Sequence, residues 1–247
     1  MRRSLNNLVG YTIQAKDGDI GKVCEFYFDD QSWTIRYVVV DTGGWLSGRK
    51  VLISPVVFDS PDWESGTFPV NLTKEQVQSS PGIDTDRPVS RQHETELHGY
   101  YGWPVYWGSA AAFGGVQASP LLVMETVRED EAPAEEPGSD THLRSTSEVT
   151  GSRIEATDGE IGHVEDFTVE EETWSIRYLL VDTSNWLPGR RVLLSPQWIK
   201  RVSWAESKVV VDMTRDAIKN SPEFDPRKPV ALDYEGKLHD YYGRPLD

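Results

Sequence analysis

Histidines and serines are the residues of this 247-residue chain whose chemistry could support catalysis. An imidazole can transfer protons or bind a metal, and a serine hydroxyl beside a base can act as a nucleophile. His98 and His239 each begin a His-x-Tyr-Tyr-Gly segment, and Ser54 and Ser195 each precede a proline. No glycine elbow with a matched histidine and aspartate surrounds either serine, and glycine-rich phosphate loops are absent. One histidine without His or Cys companions cannot form a metal site, so we predict no catalytic residue, no metal site and no cofactor.

The spacing of these residues reveals an internal duplication. Residues 10–106 align with residues 151–247 without a gap, at a constant offset of 141 positions. The segment Gly18-Asp19-Ile20-Gly21 matches Gly159-Glu160-Ile161-Gly162, and both copies contain the ending His-x-Tyr-Tyr-Gly-x-Pro. A repeat of this length indicates two domains of about 100 residues each and not a short-period solenoid. A residue that carries chemistry in both domains should therefore be present in both copies.

The composition indicates an acidic protein that neither binds nucleic acid nor spans a membrane. The net charge is −15 with scattered Lys and Arg, and an acidic surface repels phosphate backbones, so nucleic acid is not an expected partner. The single cysteine, Cys24, permits no internal disulfide, which fits a protein of the reducing cytoplasm. No segment reaches the roughly 20 apolar residues that cross a bilayer. We expect a cytoplasmic location, with membrane contact only through a partner.

Each copy is predicted to begin with β-strands and to end with helices. The pair Asp17-Gly18 predicts a tight hairpin turn, and Trp33–Asp41 is the strongest predicted strand. Its apolar run Val38-Val39-Val40 indicates burial on both faces, by a barrel interior on one side and by a helix or the neighbouring module on the other. Thr73 starts a helix with capping-box spacing. The other predicted elements of the first copy are strands Tyr11–Ala15, Lys22–Phe28, Lys50–Ser54, Val56–Ser60 and Phe68–Leu72 and a helix over Arg91–Tyr100.

These patterns divide the chain into three parts. Residues 4–106 form the first domain, residues 107–144 a linker and residues 145–247 the second domain. The linker includes the acidic stretch Glu125–Asp140 with two prolines, a composition that disfavours a packed core. We therefore expect a flexible acidic tether that leaves the two domains free to change their mutual orientation.

Two groups of residues recur in both copies and are candidates for a site. Arg36 and Arg177 lie within apolar strands, where an unpaired charge costs on the order of several kcal/mol. We predict the buried ion pairs Arg36–Asp41 and Arg177–Asp182, with a role at a partner interface as the alternative. A Trp-Leu loop either tucks over its own barrel or docks on another protein. The candidate interface residues are Trp45, Leu46, Arg49, Trp186, Leu187 and Arg190.

Three motifs in this order resemble the PRC-barrel family, named after the cytoplasmic domain of the photosynthetic reaction centre H subunit. They are Asp-Gly-x-Ile-Gly, a Trp-x-Ile-Arg-Tyr strand and Leu-x-Ser-Pro, and they occur in both copies. The resemblance implies a mainly β chain of two small antiparallel PRC-type β-barrels, each followed by short α-helices and joined by the flexible linker. It also implies binding to other macromolecules, usually proteins, without a shared catalytic centre.

The resemblance leads to an expected function and two alternatives. We expect a non-enzymatic, stand-alone bacterial protein that serves as a protein–protein interaction or assembly module. Its barrels are expected to pair within one chain or in a homodimer. The first alternative is an accessory protein of a photosynthetic or other electron-transfer membrane complex, similar to the H subunit without its membrane helix. The second is a ribosome-assembly factor similar to the barrel domain of the ribosome maturation factor RimM.

Overall fold

The computed structural model describes residues 2–83, 89–107, 142–183 and 189–245, so the predicted linker lies almost wholly outside the described residues. Within these residues the chain is mainly β and forms two separate sheets. The strands are β1 (Arg2–Ser4), β2 (Thr12–Ala15), β3 (Gly18–Asp29), β4 (Thr34–Asp41), β5 (Lys50–Ile53), β6 (Thr67–Pro69), β7 (Leu143–Ser145), β8 (Arg153–Ala156), β9 (Gly159–Glu170), β10 (Ile176–Asp182), β11 (Arg191–Leu194), β12 (Ile199–Ser203) and β13 (Lys208–Val211). The helices are α1 (Lys74–Gln78), α2 (Arg91–Tyr101), α3 (Thr146–Val149), α4 (Arg215–Lys219) and α5 (Leu232–Tyr242).

The two sheets have the same order over five strands, as the duplication predicts, and the second sheet has one further strand, β12, at its edge. The first runs β5-β4-β3-β2-β6, and the second runs β11-β10-β9-β8-β13-β12. Neighbouring strands are antiparallel except for one parallel pair in each sheet, β2 with β6 and β8 with β13. We call these bodies the first module and the second module. The prediction of a mainly β chain with two copies of one small fold is confirmed.

The strand β4 is buried on both faces, which confirms the interpretation of its apolar run. Val38 and Val40 face the main hydrophobic core, whereas Tyr37 and Val39 face a second cluster that includes Leu97 of α2. Alternate residues of a strand point to opposite faces, so the sheet separates the two clusters. The second face is therefore covered by Leu97 of α2 together with Val89, Trp103 and Leu143, so the module's own helix packs against this strand.

The helix α1 begins where the sequence predicts. Thr73 accepts a hydrogen bond from the Gln76 backbone, and the Gln76 side chain accepts one from the Thr73 backbone, a complete capping box. The predicted strand Val56–Ser60 is wrong at its start, because Pro55–Val57 form a 3-10 turn. Proline at the first position of that turn removes a ladder donor, and only Phe58 bridges to Val70.

The second glycine of the Asp-Gly-x-Ile-Gly motif is required by a close backbone contact. A Cβ atom at Gly21 would lie 2.0 Å from the carbonyl oxygen of Asp41, and one at Gly162 would lie 2.0 Å from that of Asp182. Contacts this short are not sterically allowed, so any side chain here would push β3 away from the end of β4, or β9 away from the end of β10. The glycine is conserved between the two copies for packing.

The two modules exchange their first strands. β1, at the start of the chain, pairs with β9 of the second module, in the register Arg3 with Val169. β7, which begins the second copy, pairs with β3 of the first module, in the register Arg144 with Phe28. The modules are thus joined by main-chain hydrogen bonds in both directions. The expectation of two domains with independent orientations does not describe this structure, because neither sheet is complete without a strand from the other copy.

A second, symmetrical contact joins the modules at the turns before β4 and β10. The Ile35 backbone N–H donates to the carbonyl oxygen of Trp174 (2.9 Å), and the Ile176 N–H donates to that of Trp33 (2.7 Å). Trp33 and Trp174 both have positive φ values, 51° and 56°, in these turns. Each of these contacts has a counterpart in which the first and second copies change places. The modules are therefore related by an approximate two-fold axis.

Candidate functional site

The predicted Trp-Leu loop of the first module packs against its own module. The indole Nε1 of Trp45 donates a hydrogen bond to the carbonyl oxygen of Ile20, and Lys74 Nζ lies 4.5 Å from the ring centroid. Leu46 also packs against the core. Trp186 and Leu187 lie outside the described residues. The role of these loops at a partner interface stays a prediction.

Arg49 binds the end of α1. Its Nη2 donates to the carbonyl oxygens of Ser80 (2.5 Å) and Pro81 (2.8 Å), and its Nη1 donates to that of Gln78 (3.2 Å). A cation at a helix C-terminus interacts favourably with the exposed carbonyl groups. Arg190, its counterpart, is half-buried; its carbonyl oxygen accepts from the Thr183 backbone N–H (2.9 Å), and its backbone N–H donates to Thr183 Oγ1 (3.0 Å).

Arg36 does not use the predicted partner Asp41. Its Nη2 lies 3.1 Å from Ser32 Oγ and 3.9 Å from Asp29 Oδ2, and its guanidinium stacks on the ring of Tyr106, 3.9 Å from the centroid. Asp41 instead accepts a hydrogen bond from a backbone N–H. The physical reason is length, because five strand residues span about 17 Å, beyond the reach of an arginine.

The same distance separates Arg177 from Asp182 along β10. Asp182 lies opposite Arg191 of β11 in the sheet register. Arg177 lines a groove at the junction of the two modules, and its charge opposes the rise in the pKa of Tyr178 that burial causes. The strand position of Arg177 thus places its charge beside a cavity.

A buried Tyr–Glu–His cluster joins the helix to the sheet in the first module. The hydroxyl of Tyr37 donates to Glu94 Oε1 (2.9 Å) and lies 2.8 Å from His98 Nε2. Glu94 is fully buried, and its Oε2 lies 2.8 Å from Arg91 Nη1. The hydroxyl of Tyr106 donates to the same Glu94 carboxylate. Desolvation raises the pKa values of Tyr37 and Glu94, and it lowers the pKa of His98 to about 4.

The second module contains the same cluster at an offset of 141. The hydroxyl of Tyr178 donates to Glu235 Oε1 (2.9 Å) and lies 3.0 Å from His239 Nε2. His239 Nδ1 donates to the carbonyl oxygen of Pro245 (2.6 Å). Glu235 is fully buried, like its counterpart. Tyr37 and Tyr178 lie in β4 and β10, and the acidic and imidazole groups lie one helical turn apart in α2 and α5, so each cluster connects one strand to one helix.

The two clusters differ in the source of the cation. In the second module Arg2 of the exchanged strand β1 forms an ion pair with Glu235. The position equivalent to Arg2 is Leu143, and the position equivalent to Arg91 is Leu232. Each carboxylate therefore has one arginine, supplied by the module's own helix in the first module and by the other copy in the second. Arg2 thus supplies at Glu235 the positive charge that Arg91 supplies at Glu94, and a buried carboxylate requires such a counter-charge.

The chemistry that these clusters can perform is limited by their burial. A carboxylate, an imidazole and a phenol in a row are groups that can transfer protons. Here, however, the carboxylates are fully buried and both histidines are less than a tenth exposed. Their hydrogen bonds are directed at each other and at nearby backbone groups, so their evident role is to fix α2 and α5 against the sheets.

Ion pairs repeat across the junction of the modules with the same two-fold relation. Arg3 Nε lies 2.5 Å from Glu171 Oε1, and Arg144 Nε lies 3.0 Å from Asp30 Oδ2. The first pair joins β1 to the end of β9, and the second joins β7 to the end of β3. Each guanidinium also lies over an indole ring, that of Trp63 or that of Trp204. The four pairing residues obey the offset of 141, which shows that the exchange belongs to the repeated unit.

A buried aspartate completes this junction. Asp166 of β9 is 3% exposed and accepts hydrogen bonds from the Ser4 hydroxyl and from the Asn6 backbone N–H (3.2 Å). Desolvation raises the pKa of Asp166 to about 6. Its counterpart Glu25 accepts from the hydroxyl of Ser145 (3.0 Å), the equivalent of Ser4.

Two grooves open at the junction, one beside each module. The second-module groove has a volume of about 440 Å³ and is lined by Trp33, Arg177, Tyr178, Pro196, Gln197 and His239, among others. The first-module groove has a volume of about 400 Å³ and is lined by Arg3, Pro55, Phe58, Ser60, Trp63 and Trp174, among others. Trp33 and Trp174 are exchanged between the modules, so each groove has walls from both copies. Volumes of this size are typical of ligand pockets.

The sequence singles out His98 and His239 but not the residues that contact them. Tyr37 with Tyr178 and Glu94 with Glu235 recur at the same offset of 141, and that recurrence was the available signal. The contacts of β1 were missed because Arg2–Ser4 precede the aligned repeat. Within the described residues, no group of three or more His, Cys, Asp or Glu side chains is arranged to hold a metal. The helices described are also all too short or too polar to cross a bilayer.

Comparisons with known proteins agree with this architecture. The family model of the PRC-barrel domain matches the chain twice, over residues 2–77 and residues 144–218. Each match begins at an exchanged strand and ends in the helix α1 or α4. The chain is also similar to an uncharacterized protein of Deinococcus radiodurans, with 37% identity over 109 residues. That alignment covers 38% of this chain and 39% of the relative, so no function of the whole relative can be transferred to this chain. The two family matches together span more than half of the chain, which belongs to the PRC-barrel family.

Proposed function

We propose that this protein is a non-enzymatic PRC-barrel protein that acts as a protein–protein interaction or assembly module. The observation that carries the proposal is the construction of the two junction grooves. Each groove takes walls from both copies, so a binding surface forms only when the modules are joined. A body that holds two related surfaces at a fixed distance suits the assembly of partners.

The use of the titratable groups supports the same function. The recurring acid, imidazole and phenol groups lie in buried clusters that attach helices to sheets, and the recurring arginines Arg3 and Arg144 join the modules. These groups stabilise a rigid scaffold. The exposed surface and the grooves then provide the contacts, and the acidic net charge of −15 favours partners with basic surfaces.

The proposal is tested by affinity capture from bacterial extracts with charged substitutions in the grooves. Gln197 and Ser60 are exposed and line the second-module and first-module grooves. We expect the wild type to retain a partner in near-stoichiometric amount and Gln197→Arg or Ser60→Arg to lose it. Gln92→Arg, on the exposed side of α2, introduces the same charge away from both grooves and should leave capture unchanged.

The same assay examines the Trp-Leu loops. Trp45→Ala combined with Trp186→Ala removes both indoles, and unchanged capture in that variant would exclude the loops as the interface. A substrate turnover by the purified protein that is lost on His98→Gln and His239→Gln, with no partner retained, would overturn the proposed function.

A further inference from the structure

The first-module groove has aromatic walls that are accessible to a ligand. Its volume is about 400 Å³, and the lining residues include Phe58, Trp63 and Trp174 together with Pro55 and Pro61. The three aromatic side chains are half-buried, so part of each ring system remains exposed. The rings of Phe58 and Trp174 meet edge to face, with their centroids 5.4 Å apart. Such a surface favours a flat or cationic group, because aromatic faces attract positive charge.

The same groove carries more negative than positive charge. Arg3 is the cation that lines it, and this guanidinium pairs with Glu171 at 2.5 Å while it lies 3.9 Å from the ring centroid of Trp63. The two other acidic residues of the lining, Asp59 and Glu172, are exposed and form no ion pair with any residue that the structure describes. The groove therefore has two carboxylates whose charge is not balanced within the groove.

The second copy of the repeat does not keep these two charges. At the offset of 141, Lys200 stands for Asp59 and Gln31 stands for Glu172. Lys200 lies in β12, and both replacement residues are exposed, as the acidic residues are. The tryptophan that each module contributes to the other's groove is present in both copies. The negative charge thus distinguishes the first-module groove from its counterpart.

We propose that the first-module groove binds an arginine side chain presented by an extended basic segment of a partner protein. The inference rests on the proposed interaction function, and it names the chemistry of the partner. The arginine packs on the aromatic walls, and the carboxylates of Asp59 and Glu172 balance its charge. Arg3 shows the same combination of an indole ring and a carboxylate within the groove. Arginine suits these walls better than lysine, since a planar guanidinium stacks on rings and is more weakly hydrated than an ammonium group.

The test uses the complete chain and a peptide Gly-Ala-Pro-Arg-Pro-Ala-Gly with blocked ends. Isothermal titration calorimetry in about 0.15 M salt should show saturable binding at one site. A peptide with citrulline in place of Arg has the same shape without the charge and should bind about 10-fold more weakly. A peptide with Lys should bind several-fold more weakly than the one with Arg.

Substitutions of single acidic residues locate the site. Glu172→Gln introduces the residue that the second copy has, and it should weaken the Kd by about 5-fold because one of the two carboxylates is lost. Glu64→Gln is the matched control, since Glu64 is exposed and follows Trp63 in sequence but does not line the groove. It removes the same charge and should leave the Kd unchanged.

Ser60→Arg keeps the test decisive, because it places an arginine of the chain itself at the groove and should abolish peptide binding. The melting temperature of each variant is measured beside its Kd. No binding by the wild type at millimolar peptide, equal affinity for the Arg and citrulline peptides, or equal affinity of the wild type and Glu172→Gln would overturn the inference. If the peptide fails but Ser60→Arg still loses a captured partner, only the arginine occupant is wrong. Capture that survives both Ser60→Arg and Gln197→Arg would reject the proposed function.

Discussion

Arg2 forms an ion pair with Glu235, a carboxylate that is buried in the other copy of the repeat. The Arg2 side chain is 15% exposed and that of Glu235 is 1% exposed, so the pair is almost entirely removed from water. Arg2 also lies 3.5 Å from Glu170. The second residue of the chain therefore completes a polar cluster that is formed by residues more than 170 positions later, and the fold of the second module depends on the first strand.

Removal of this cation should destabilise the whole protein. Arg2→Leu leaves Glu235 buried without an arginine, which costs about 3 kcal/mol in the free energy of unfolding. Denaturant unfolding followed by circular dichroism measures the loss. The sequence itself provides a rescue, because Leu232 stands at the position of Arg91 and is 73% exposed.

The rescue variant combines Arg2→Leu with Leu232→Arg. The new arginine would approach Glu235 from α5, as Arg91 approaches Glu94 from α2, and should restore most of the lost free energy. Leu232→Arg alone should change stability little. A double variant as unstable as Arg2→Leu would show that β1 stabilises the second module by something other than its charge.

His98 should stay neutral well into the acidic range. Burial lowers its pKa to about 4 in the folded protein, from an ordinary value of 6.5. The folded pKa is depressed, so the stability from the neutral imidazole is present above pH 6.5 and is lost as the pH falls through 4. Nuclear magnetic resonance titration of the imidazole Cε1–H, assigned with His98→Gln, should show no midpoint between pH 5 and 8. A midpoint near 6.5 would mean that the cluster is open to water.

The contribution of Asp166 to stability should have the opposite pH dependence, since it should be lost as the pH rises. Burial raises its pKa to about 6 from 3.8, so the folded protein holds the proton more tightly than the unfolded chain. Its contribution is fully present below pH 4 and is lost as the pH rises through 6, a change on the order of 2–3 kcal/mol. Asp166→Asn keeps an acceptor for the Asn6 N–H, presents an amide donor to the Ser4 hydroxyl oxygen and removes the titration. The difference in unfolding free energy between the wild type and this variant should vary across pH 4–6, and a constant difference would contradict the shift.

The motif glycine should tolerate no side chain. Gly162→Ala places a Cβ atom 2.0 Å from the Asp182 carbonyl oxygen, at a φ of 72°, so it should cost on the order of 3 kcal/mol or more. Gly236→Ala, within α5 and with open space around its Cβ, is the matched control and should stabilise the protein by up to about 1 kcal/mol. Thermal melting of both variants separates them, and similar melting temperatures would rule out the close contact.

Local patterns predicted the elements inside each module well. Val38-Val39-Val40 gave the doubly buried strand, Thr73 with Gln76 gave the capping box, and the Asp-Gly pairs gave the turns, because each depends on residues that are adjacent in sequence. Asp17 also accepts a hydrogen bond from the Lys74 backbone (2.8 Å), which fixes the start of α1 against that turn. Such local rules carry over from one copy to the other.

The contacts between the copies could not be predicted in this way. A three-residue strand such as β1 has no periodicity to detect, and its pairing with β9 depends on the three-dimensional approach of two modules. The ion pair Arg36–Asp41 was wrong because charges inside one strand were assumed to meet. The Tyr–Glu–His clusters join a strand to a helix 57 positions away, so only the comparison of the two copies could have suggested them.

The arginines at the two buried carboxylates also determine which halves can associate. Two first modules paired with each other would bring Arg2 and Arg91 together at one carboxylate, with an excess of positive charge. Two second modules would surround Glu235 with Leu143 and Leu232 and leave it without a counterion. Only the mixed pair gives each carboxylate one arginine. The two modules therefore resemble the two different subunits of a heterodimer joined in one chain. Their charges favour a first module paired with a second module over two modules of the same kind.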